Sequence, residues 1–279
     1  QPLPELTALS ADELMRCKGC GAKLGSDALS RSLARLSALS PAVDLSSLDD
    51  AAILNPPTGK ALLQSIDFFP ALVSDPWLFG AIAANHCLGD LHAMGAEPWT
   101  ALALAQMRSG SEATKAEDLF QMLAGAATVF ETEGVTLIGG HSIEADELAL
   151  GFTVNGLSEP NSLRRKSGLR PGDALILTKP IGTGALFAAE MRGRAKARWI
   201  DGAIEAMARG CGPAARILNG HGVTAMTDVT GFGLAGHLGE LLDASNVDAE
   251  LEPSSIPTLV GTIQVLEAGF ESSLAAQNR

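Results

Sequence analysis

The stretch that decides the fold is DPWLFGAIAANHCLGDLHAMGAEPWTALALAQM, residues 75–107. Asp75 followed by Pro76 pairs a good helix N-cap with a proline at the first helical position, so a helix is predicted from here to about Gly95. TALALAQM, residues 100–107, follows as a predicted strand. A capped helix that leads directly into an apolar strand is typical of helices packed on a sheet.

The same succession of helices and strands continues on both sides of this stretch. Further predicted strands are 49–54, 62–69, 135–141, 147–157, 174–180, 223–230 and 247–252. Further predicted helices begin at Ser26 and span 112–133, 183–192, 202–218, 232–245 and 258–268. Gly134 is the expected left-handed residue after the helix at 112–133. This interleaving predicts an α/β or α+β protein.

A polar segment, SEPNSLRRKSGLRPGD at 158–173, interrupts the pattern with Pro, Gly and a basic cluster. It is the best linker in the chain. A chain of 279 residues is long enough for about two domains at roughly 150 residues each. The sequence therefore predicts two lobes, residues 1–160 and 161–279.

The charge balance limits the classes of partner. The chain has 20 Lys and Arg against 32 Asp and Glu, a formal net charge of −12. This argues against a sequence-independent nucleic-acid binder, which needs a basic face, and against docking on anionic membrane. The negative net charge does not argue against nucleotide binding, because a magnesium ion can lie between carboxylates and phosphates.

Aromatic residues are scarce, at 4% with no Tyr, while hydrophobic residues reach 46%. The hydrophobic content excludes global disorder. Ala, Leu and Gly must fill the core in place of aromatics. We therefore expect tight helix-on-sheet packing with close backbone approaches.

Four Cys residues are too few for a disulfide scaffold in a chain of this length. No apolar run approaches the roughly 20 residues of a membrane span, and no leader pattern precedes the first helix. A cytoplasmic location is the expectation. The chain begins at Gln1 and ends at Arg279 just after a helical pattern, so we expect it to be a piece cut at both ends.

Five acidic residues lie in or beside apolar segments: Asp49, Asp50, Asp67, Asp90 and Asp228. Charged residues in such places are seldom fully buried unless they are paired or liganded. Any one of them alone is more simply a solvated strand end. The adjacent pair at 49–50, taken with Asp90 and Asp228, favours a magnesium site built from carboxylates.

Two glycine motifs allow alternative interpretations. Gly139, Gly140 and His141 end a predicted strand, where backbone N–H groups form either an anion-binding nest or an ordinary tight turn. GFGLAG at 231–236 matches the dinucleotide pattern G-x-G-x-x-G, which keeps an NAD-dependent oxidoreductase open as a rival function. No P-loop motif is present in the chain, so ATP would have to be held differently.

The N-terminal thiols carry a further hypothesis. Cys17 and Cys20 have the spacing of a redox pair or of half a zinc site. Lys23 lies close enough in sequence to favour the thiolate of Cys20, so this loop is either a mobile catalytic arm or an inert turn. His86 and His92 fall on a predicted helix, where packing is the commoner role, and are left outside the site.

Together these segments resemble the selenophosphate synthetase (selenide, water dikinase) family, in the superfamily of aminoimidazole ribonucleotide synthetase. The matching segments are GCGAK (19–23), DDAAIL (49–54), SIDFFP (65–70), DPWLFGAIAANHCLGDLHAMGAEP (75–98), GGHSIEADE (139–147), LTKPIGTG (177–184) and MTDVTGFGLAGHL (226–238). The resemblance implies a two-lobed α+β fold whose N-terminal lobes pair their sheets in a homodimer. It also implies that the C-terminal lobe is incomplete here.

The resemblance further implies the chemistry, which is conversion of ATP, selenide and water to selenophosphate, orthophosphate and AMP with Mg²⁺. Cys20 and Lys23 would be the catalytic loop residues, and Asp50, Asp90 and Asp228 the magnesium carboxylates. The implied ATP contacts are Lys23, Ser47, Leu48, Asp49, Asp67, Asp90, Gly139, Gly140 and His141.

The chain departs from the family pattern at three positions. Ala22 stands where some members have a second Cys, Gly89 replaces a residue that is often Ser, and Cys17 is an additional thiol. Some bacterial members follow an oxidoreductase-like domain, so an N-terminal fusion is an expected possibility. The rival functions are another ATP-using enzyme of the superfamily, the oxidoreductase suggested by GFGLAG, and a non-catalytic nucleotide-binding or metal-binding module.

Overall fold

The structure is a computed structural model that describes residues 26–43, 54–272 and 274–276. Its strands are β1 (Ala61–Pro70), β2 (Glu97–Arg108), β3 (Thr136–Ala145) and β4 (Ala149–Ser158). Its α-helices are α1 (Ser26–Leu39), α2 (Pro76–Cys87), α3 (Gly89–Ala93), α4 (Glu112–Glu133), α5 (Thr183–Glu190), α6 (Ala197–Ala208), α7 (Gly212–Gly220), α8 (Gly233–Ser245) and α9 (Thr262–Glu267). Within those ranges, no helix is both long and apolar enough to cross a membrane.

The four strands form one mixed sheet in the order β1-β4-β2-β3. β4 pairs antiparallel with both β1 and β2, while β2 and β3 run parallel. A parallel pair needs a long crossover, and α4 supplies it between β2 and β3. The predicted α+β class is confirmed.

One face of the sheet packs on helices, and its residue sizes explain why few aromatics are needed. On β2 the buried side chains include the small residues Ala101, Ala103 and Ala105, beside Thr100 and the larger Met107. Phe152 on β4 lies directly opposite Ala103 and contacts Phe130 of α4 edge to face, with ring centroids 5.0 Å apart. Small residues beside a few large ones allow this layer to pack closely.

Helices α2 and α4 lie almost backbone to backbone. A Cβ atom added at Gly80 of α2 would fall well inside 3.0 Å of the Met122 carbonyl oxygen, and one added at Gly125 of α4 would meet the Trp77 carbonyl equally closely. Only glycine fits at either position. The close approaches expected from the composition are therefore present at this crossing.

Several sequence predictions for this region are confirmed. The Asp75 side chain accepts a hydrogen bond from the Leu78 N–H at 3.0 Å, which caps α2. The continuation to about Gly95 includes a break at Leu88, so two helices, α2 and α3, cover the predicted span. Helix α4 has the predicted bounds, and Gly134 follows it with φ 71°. The strand predicted at 49–54 lies almost wholly outside the described residues.

The second half of the chain departs from the prediction. The segments 174–180, 223–230 and 247–252, predicted as strands, have no strand structure. Leu175, Ile176 and Leu251 are exposed, so their apolar side chains do not pack on a sheet. A strand forms only where a neighbouring strand accepts its hydrogen bonds, and no partner lies beside these segments in the described part of the chain.

The helices of this half are confirmed with altered bounds. The single helix predicted at 202–218 is two helices, α6 and α7, and α9 is shorter than the prediction of 258–268. Helices α5, α6 and α9 enclose one small core, in which Leu186 and Ala203 are fully buried. Helix α8 packs Leu238 and Leu241 against Ala225 in a second.

Polar contacts join the two halves. The Asn85 side-chain amide donates to the Ala208 carbonyl at 2.8 Å. The buried Glu133 carboxylate accepts from Arg216 at 2.8 Å and lies 3.7 Å from His92 Nε2. Burial and the Arg216 charge lower the pKa of His92, against the opposing effect of Glu133. His92 is thus a buried structural residue, as expected from the sequence.

The α2–α4 crossing gives the first prediction. Gly80→Ala or Gly125→Ala should destabilise the protein by about 3 kcal/mol or more, because the backbones must separate. The matched control is Gly202→Ala in α6, where an added Cβ meets nothing within 4 Å. It should be neutral or stabilising by up to about 1 kcal/mol through helix propensity. Urea unfolding followed by circular dichroism measures all three. Equal stability of Gly80→Ala and Gly202→Ala would contradict the close approach.

Candidate functional site

Asp67 reaches the site from β1, where successive side chains alternate between the two faces of the sheet. Ser65 and Asp67 share the more buried face, while Ile66 and Phe68 point to the exposed face. Two polar residues on the inner side of an apolar strand are unusual, since polar groups there need partners. Those partners come from the residues that follow α2.

Asp90 is the second carboxylate of the site. It lies in the first turn of α3, directly after the break at Leu88. The Ser65 hydroxyl donates a hydrogen bond to its Oδ2 atom. This bond fixes the Asp90 carboxylate over β1, on the side where Asp67 lies. Ser65 is a site residue that the sequence analysis missed, although it stands two positions before Asp67 on the same strand face.

Asp228 comes from the other half of the chain. It lies on the irregular segment that precedes α8, and its Oδ2 atom would be 3.5 Å from a Cβ at Gly89. The Asp228 carboxylate therefore meets the start of α3, beside Asp90. The structure thus brings together Asp67, Asp90 and Asp228, three of the predicted site residues.

The three carboxylates share one electrostatic environment. Burial raises the pKa of Asp67, and so do the charges of Asp90 and Asp228, while His86 lowers it. Burial also raises the pKa of Asp228, and the neighbouring Asp90 raises it further. A bound cation would relieve both the partial desolvation and the mutual repulsion of these carboxylates.

His86 belongs to this group, although the sequence analysis left it outside the site. Its Nε2 atom lies 3.9 Å from Oδ2 of Asp67, and its ring packs edge-on against Phe69 with centroids 5.0 Å apart. The available signal was its spacing, four residues before Asp90 on a helical face. Among the contacts described, His86 is the basic side chain nearest to Asp67.

Cys87 lies beneath the site and is chemically quiet. Its thiol is buried and faces the Asp67 carbonyl oxygen at 3.6 Å. Burial raises the pKa of this thiol to about 12, so it stays neutral at physiological pH. The reactive form of a cysteine is the thiolate. Cys87 is therefore a core residue.

Gly139, Gly140 and His141 do not end a strand, so that part of the prediction is wrong. They lie inside β3, where the pairing register with β2 shifts between Ala101 and Ala103. Gly139 has φ 152°, which accommodates the irregularity. Asp67, Phe152, Ala103 and Gly140 occupy one row across the sheet, which separates Gly140 from Asp67 by three strand spacings, about 14 Å.

Several predicted site residues lie outside the described residues. They are Cys17, Cys20, Lys23, Ser47, Leu48, Asp49 and Asp50. In the ranges that the structure does describe, no group of three or more His, Cys, Asp or Glu side chains has an arrangement that could hold a metal ion. The magnesium assignment therefore stays a prediction, in which Asp50 would be a ligand.

The dinucleotide interpretation of GFGLAG fails on its context. That motif works at the end of a β-strand, where the turn presents backbone N–H groups to a pyrophosphate. Residues 223–230 precede it here without strand structure, and α8 begins at Gly233. The motif is a turn into α8 that follows the Asp228 segment.

Comparison with protein families places both halves in one superfamily. Residues 48–158 match the N-terminal domain of AIR synthase related proteins, and residues 170–271 match the C-terminal domain of the same proteins. The first match includes Asp67, Asp90 and the Gly139–His141 segment, and the second includes Asp228. Each half that carries the carboxylates thus matches one domain of AIR synthase related proteins.

Curated relatives narrow the family. A selenide, water dikinase of Clostridioides difficile is 34% identical over 92% of this chain and 74% of its own length. The chain belongs to the selenide, water dikinase family. A family member from Pseudomonas aeruginosa is 38% identical over 90% of this chain and 74% of its own length. One from Nitratidesulfovibrio vulgaris is 39% identical, and the alignment spans 83% of this chain but 66% of that relative.

Solved structures confirm the fold expected for this family. Thiamine-monophosphate kinase from Stenotrophomonas maltophilia superposes with a TM-score of 0.70 at 21% identity, over 89% of this chain and 83% of that one. Hydrogenase maturation protein HypE in complex with ATP gives 0.64 at 18% identity, over 82% and 69%. At these identities the likeness establishes the shared fold.

The raised pKa of Asp228 predicts a stability that depends on pH. An aspartate whose pKa rises on folding favours the folded state below the ordinary value of 3.8, and this contribution is lost as pH rises through the raised pKa. At pH 7 without divalent metal, Asp228→Asn should therefore raise the Tm by about 2–4 °C, the shift that about 1 kcal/mol produces. The gain should vanish near pH 3.8 and below.

Asp173→Asn is the matched control. The Arg170 N–H and the Thr224 hydroxyl bind the Asp173 carboxylate and lower its pKa, so this residue favours folding above pH 3.8. Its substitution should lower the Tm at pH 7. Thermal unfolding in chelator across pH 3.5–8 measures both variants. A lower Tm for Asp228→Asn at pH 7 would mean that burial and repulsion of the Asp228 carboxylate do not destabilise the folded state.

Proposed function

We propose that this chain catalyses the formation of selenophosphate from ATP, selenide and water, with AMP and orthophosphate as the other products. The observation that carries the proposal is the meeting of Asp67, Asp90 and Asp228 in one partly buried cluster. The cluster occurs in a chain whose relatives are named selenide, water dikinase. The ATP-complexed HypE neighbour is consistent with nucleotide binding by this fold.

The donor set fits magnesium. Mg²⁺ binds through one or two carboxylates together with phosphate oxygens, and the clustered carboxylates are hard oxygen donors of this kind. Asp90 and Asp228 would hold the metal with Asp50, and Asp67 would contact the nucleotide beside them. When bound, Mg²⁺ would neutralise phosphate charge during phosphoryl transfer. The chain has no P-loop lysine to supply that positive charge.

The chain's own side chains would organise the reaction around this cluster. Ser65 donates to Asp90 and so holds that carboxylate toward the site. His86 would interact electrostatically with Asp67 or with a phosphate oxygen, since its Nε2 atom lies 3.9 Å from Oδ2 of Asp67. Cys20 as thiolate and Lys23 would hold the selenide anion and exclude water from early attack.

The remaining nucleotide contacts stay part of the proposal. They are Lys23, Ser47, Leu48, Asp49, Gly139, Gly140 and His141. Gly140 lies about 14 Å from Asp67 across the sheet. The Gly139–His141 segment would therefore contact one part of the nucleotide, and the carboxylates another. A second candidate is another ATP-using reaction of the superfamily, which the thiamine-monophosphate kinase likeness keeps open.

The proposed lobes are residues 1–160 and 161–279. Separate apolar clusters support this division, because the sheet core uses residues from Ala28 to Val154 and the other two use residues from Leu169 to Phe270. The proposed homodimer pairs the sheets of the N-terminal lobes. A cytoplasmic location and a fusion to an N-terminal oxidoreductase domain stay predictions from the sequence.

The exposed face of β1 supports the proposed dimer. Leu62, Ile66 and Phe68 point away from the helices and are all exposed, Ile66 by 58%. A row of large apolar side chains on an exposed sheet face is typical of an interaction surface. A second copy of the same sheet would cover it.

The catalytic proposal is tested by following AMP release in the presence of selenide and Mg²⁺. Cys20→Ser and Lys23→Ala should each lower kcat by about 10²-fold or more, since these loop side chains would hold the selenide that reacts. Cys211→Ser is the matched control and should retain full turnover. Selenide-independent AMP release by the unaltered chain, or full turnover in both loop variants, would favour another reaction of the superfamily.

The dimer is tested by light scattering. Ile66→Asp should convert a mass of two protomers to one, because a buried charge in the paired sheets is unfavourable. Ile176→Asp provides the control, since Ile176 is 69% exposed but lies outside the sheet. A monomeric mass for the unaltered chain, or a dimeric mass for Ile66→Asp, would rule out this interface.

A further inference from the structure

Asp228 stands on an irregular segment, because residues 223–232 contain no helix or strand. Its backbone hydrogen bonds include Val223 N–H to the Leu218 carbonyl at 3.3 Å, Met226 N–H to the Arg165 carbonyl at 3.4 Å and Gly233 N–H to the Thr230 carbonyl at 3.0 Å. Side-chain contacts add to the placement of Asp228.

Thr230 makes such a contact two residues beyond Asp228. Its hydroxyl oxygen lies 3.1 Å from Nε2 of His237 in α8. His237 is 6% exposed, and the neighbouring Leu238 packs with Leu241 against Ala225. A buried imidazole on a helix that otherwise supplies leucines is costly unless both of its nitrogens have partners.

The second nitrogen of His237 has a partner as well. Nδ1 lies 3.6 Å from Oε2 of Glu240, one helical turn away, and Glu240 also pairs with Lys166. With the ring proton on Nδ1, toward Glu240, Nε2 can accept a hydrogen bond from the Thr230 hydroxyl. The ring of Phe232 packs on His237 with centroids 5.6 Å apart and restricts its rotation.

We propose that Thr230 and His237 form a hydrogen-bonded strut that positions Asp228 against Asp90, so both are positioning residues for the cation–nucleotide site. The inference rests on the proposed function, because it assigns the strut to that same site. Partners that orient a ligating carboxylate or histidine typically change metal affinity by 10–100-fold when they are removed. The strut ties the Asp228 segment to α8, and Lys166 holds the same helix through Glu240.

The test uses Thr230→Val, which keeps the shape of the side chain and removes the hydroxyl. Mn²⁺ serves as the probe, with β,γ-methylene ATP present, and its affinity is measured by electron paramagnetic resonance of free Mn²⁺. Thr230→Val and His237→Leu should weaken Mn²⁺ binding by about tenfold or more. Thr230→Ser should restore the affinity, and His237→Gln should retain part of it, because its amide can reach the position of Nε2.

Thr224→Val is the matched control. The Thr224 hydroxyl donates to Asp173 at 2.8 Å, so this variant removes a hydrogen bond from the same segment without touching the strut. It should lower the Tm and leave Mn²⁺ affinity unchanged. Thermal unfolding of all variants without metal separates a loss of stability from a loss of positioning.

The outcomes distinguish the strut from the proposed function. Mn²⁺ affinity that is unchanged in Thr230→Val, or weakened equally in Thr224→Val, overturns the strut. The same holds if Thr230→Ser binds as weakly as Thr230→Val. If the unaltered chain binds no Mn²⁺ in the presence of the nucleotide analogue, the proposed function is contradicted, and so is the strut, which rests on it.

Discussion

The close approach of α2 to α4 at Gly80 and Gly125 is the contact on which the site depends. Because neither position has a side chain, the two backbones meet, and α2 is held at a fixed height over the sheet. The break after α2 then places α3 over β1, where Ser65 reaches Asp90. A side chain at either glycine would lift α2, and His86 and Asp90 would move with it. The scarcity of aromatics thus has a structural reason, since the layer leaves little room for them.

The same tight packing produces the electrostatics of the site. Asp67 and Asp228 are drawn partly out of water, and each feels a neighbouring carboxylate, so the pKa of each rises. In the absence of a cation this arrangement lowers stability at neutral pH. A protein that keeps such strain near the start of a helix uses it for binding, which is the usual relation between stability and function at active sites. The nearby Cys87 thiol stays neutral in the same surroundings and does not compete for a metal.

The sequence predicted the first half of the fold better than the second, for a physical reason. Local signals set the helices: Asp75 caps α2, Ser111 caps α4, and Gly134 ends α4 with a left-handed residue. Strands depend on partners that can be distant in sequence. Residues 62–69 and 100–107 have partners in β4, whereas 174–180 and 223–230 have apolar strand-like composition but no neighbouring strand among the residues that the structure describes. The sequence also did not predict the register shift beside Gly139, because no local signal marks the strand on which a bulge forms.

The sequence predicted which side chains could form the site, but only part of their arrangement in space. Asp67, Asp90 and Asp228 could be selected because acids in apolar segments need a partner, but the sequence could not place Asp228 beside Gly89. That placement depends on α8, a helix whose beginning matches a dinucleotide motif. With no strand before GFGLAG, the motif cannot present its N–H groups to a pyrophosphate, and the acid that precedes it would repel one. What the segment can do is carry Asp228 and brace it, through Thr230, on the buried His237. In a dinucleotide-binding fold this motif binds a negatively charged pyrophosphate, whereas here it follows an aspartate that would repel one. The residues on either side of the motif therefore decide its role.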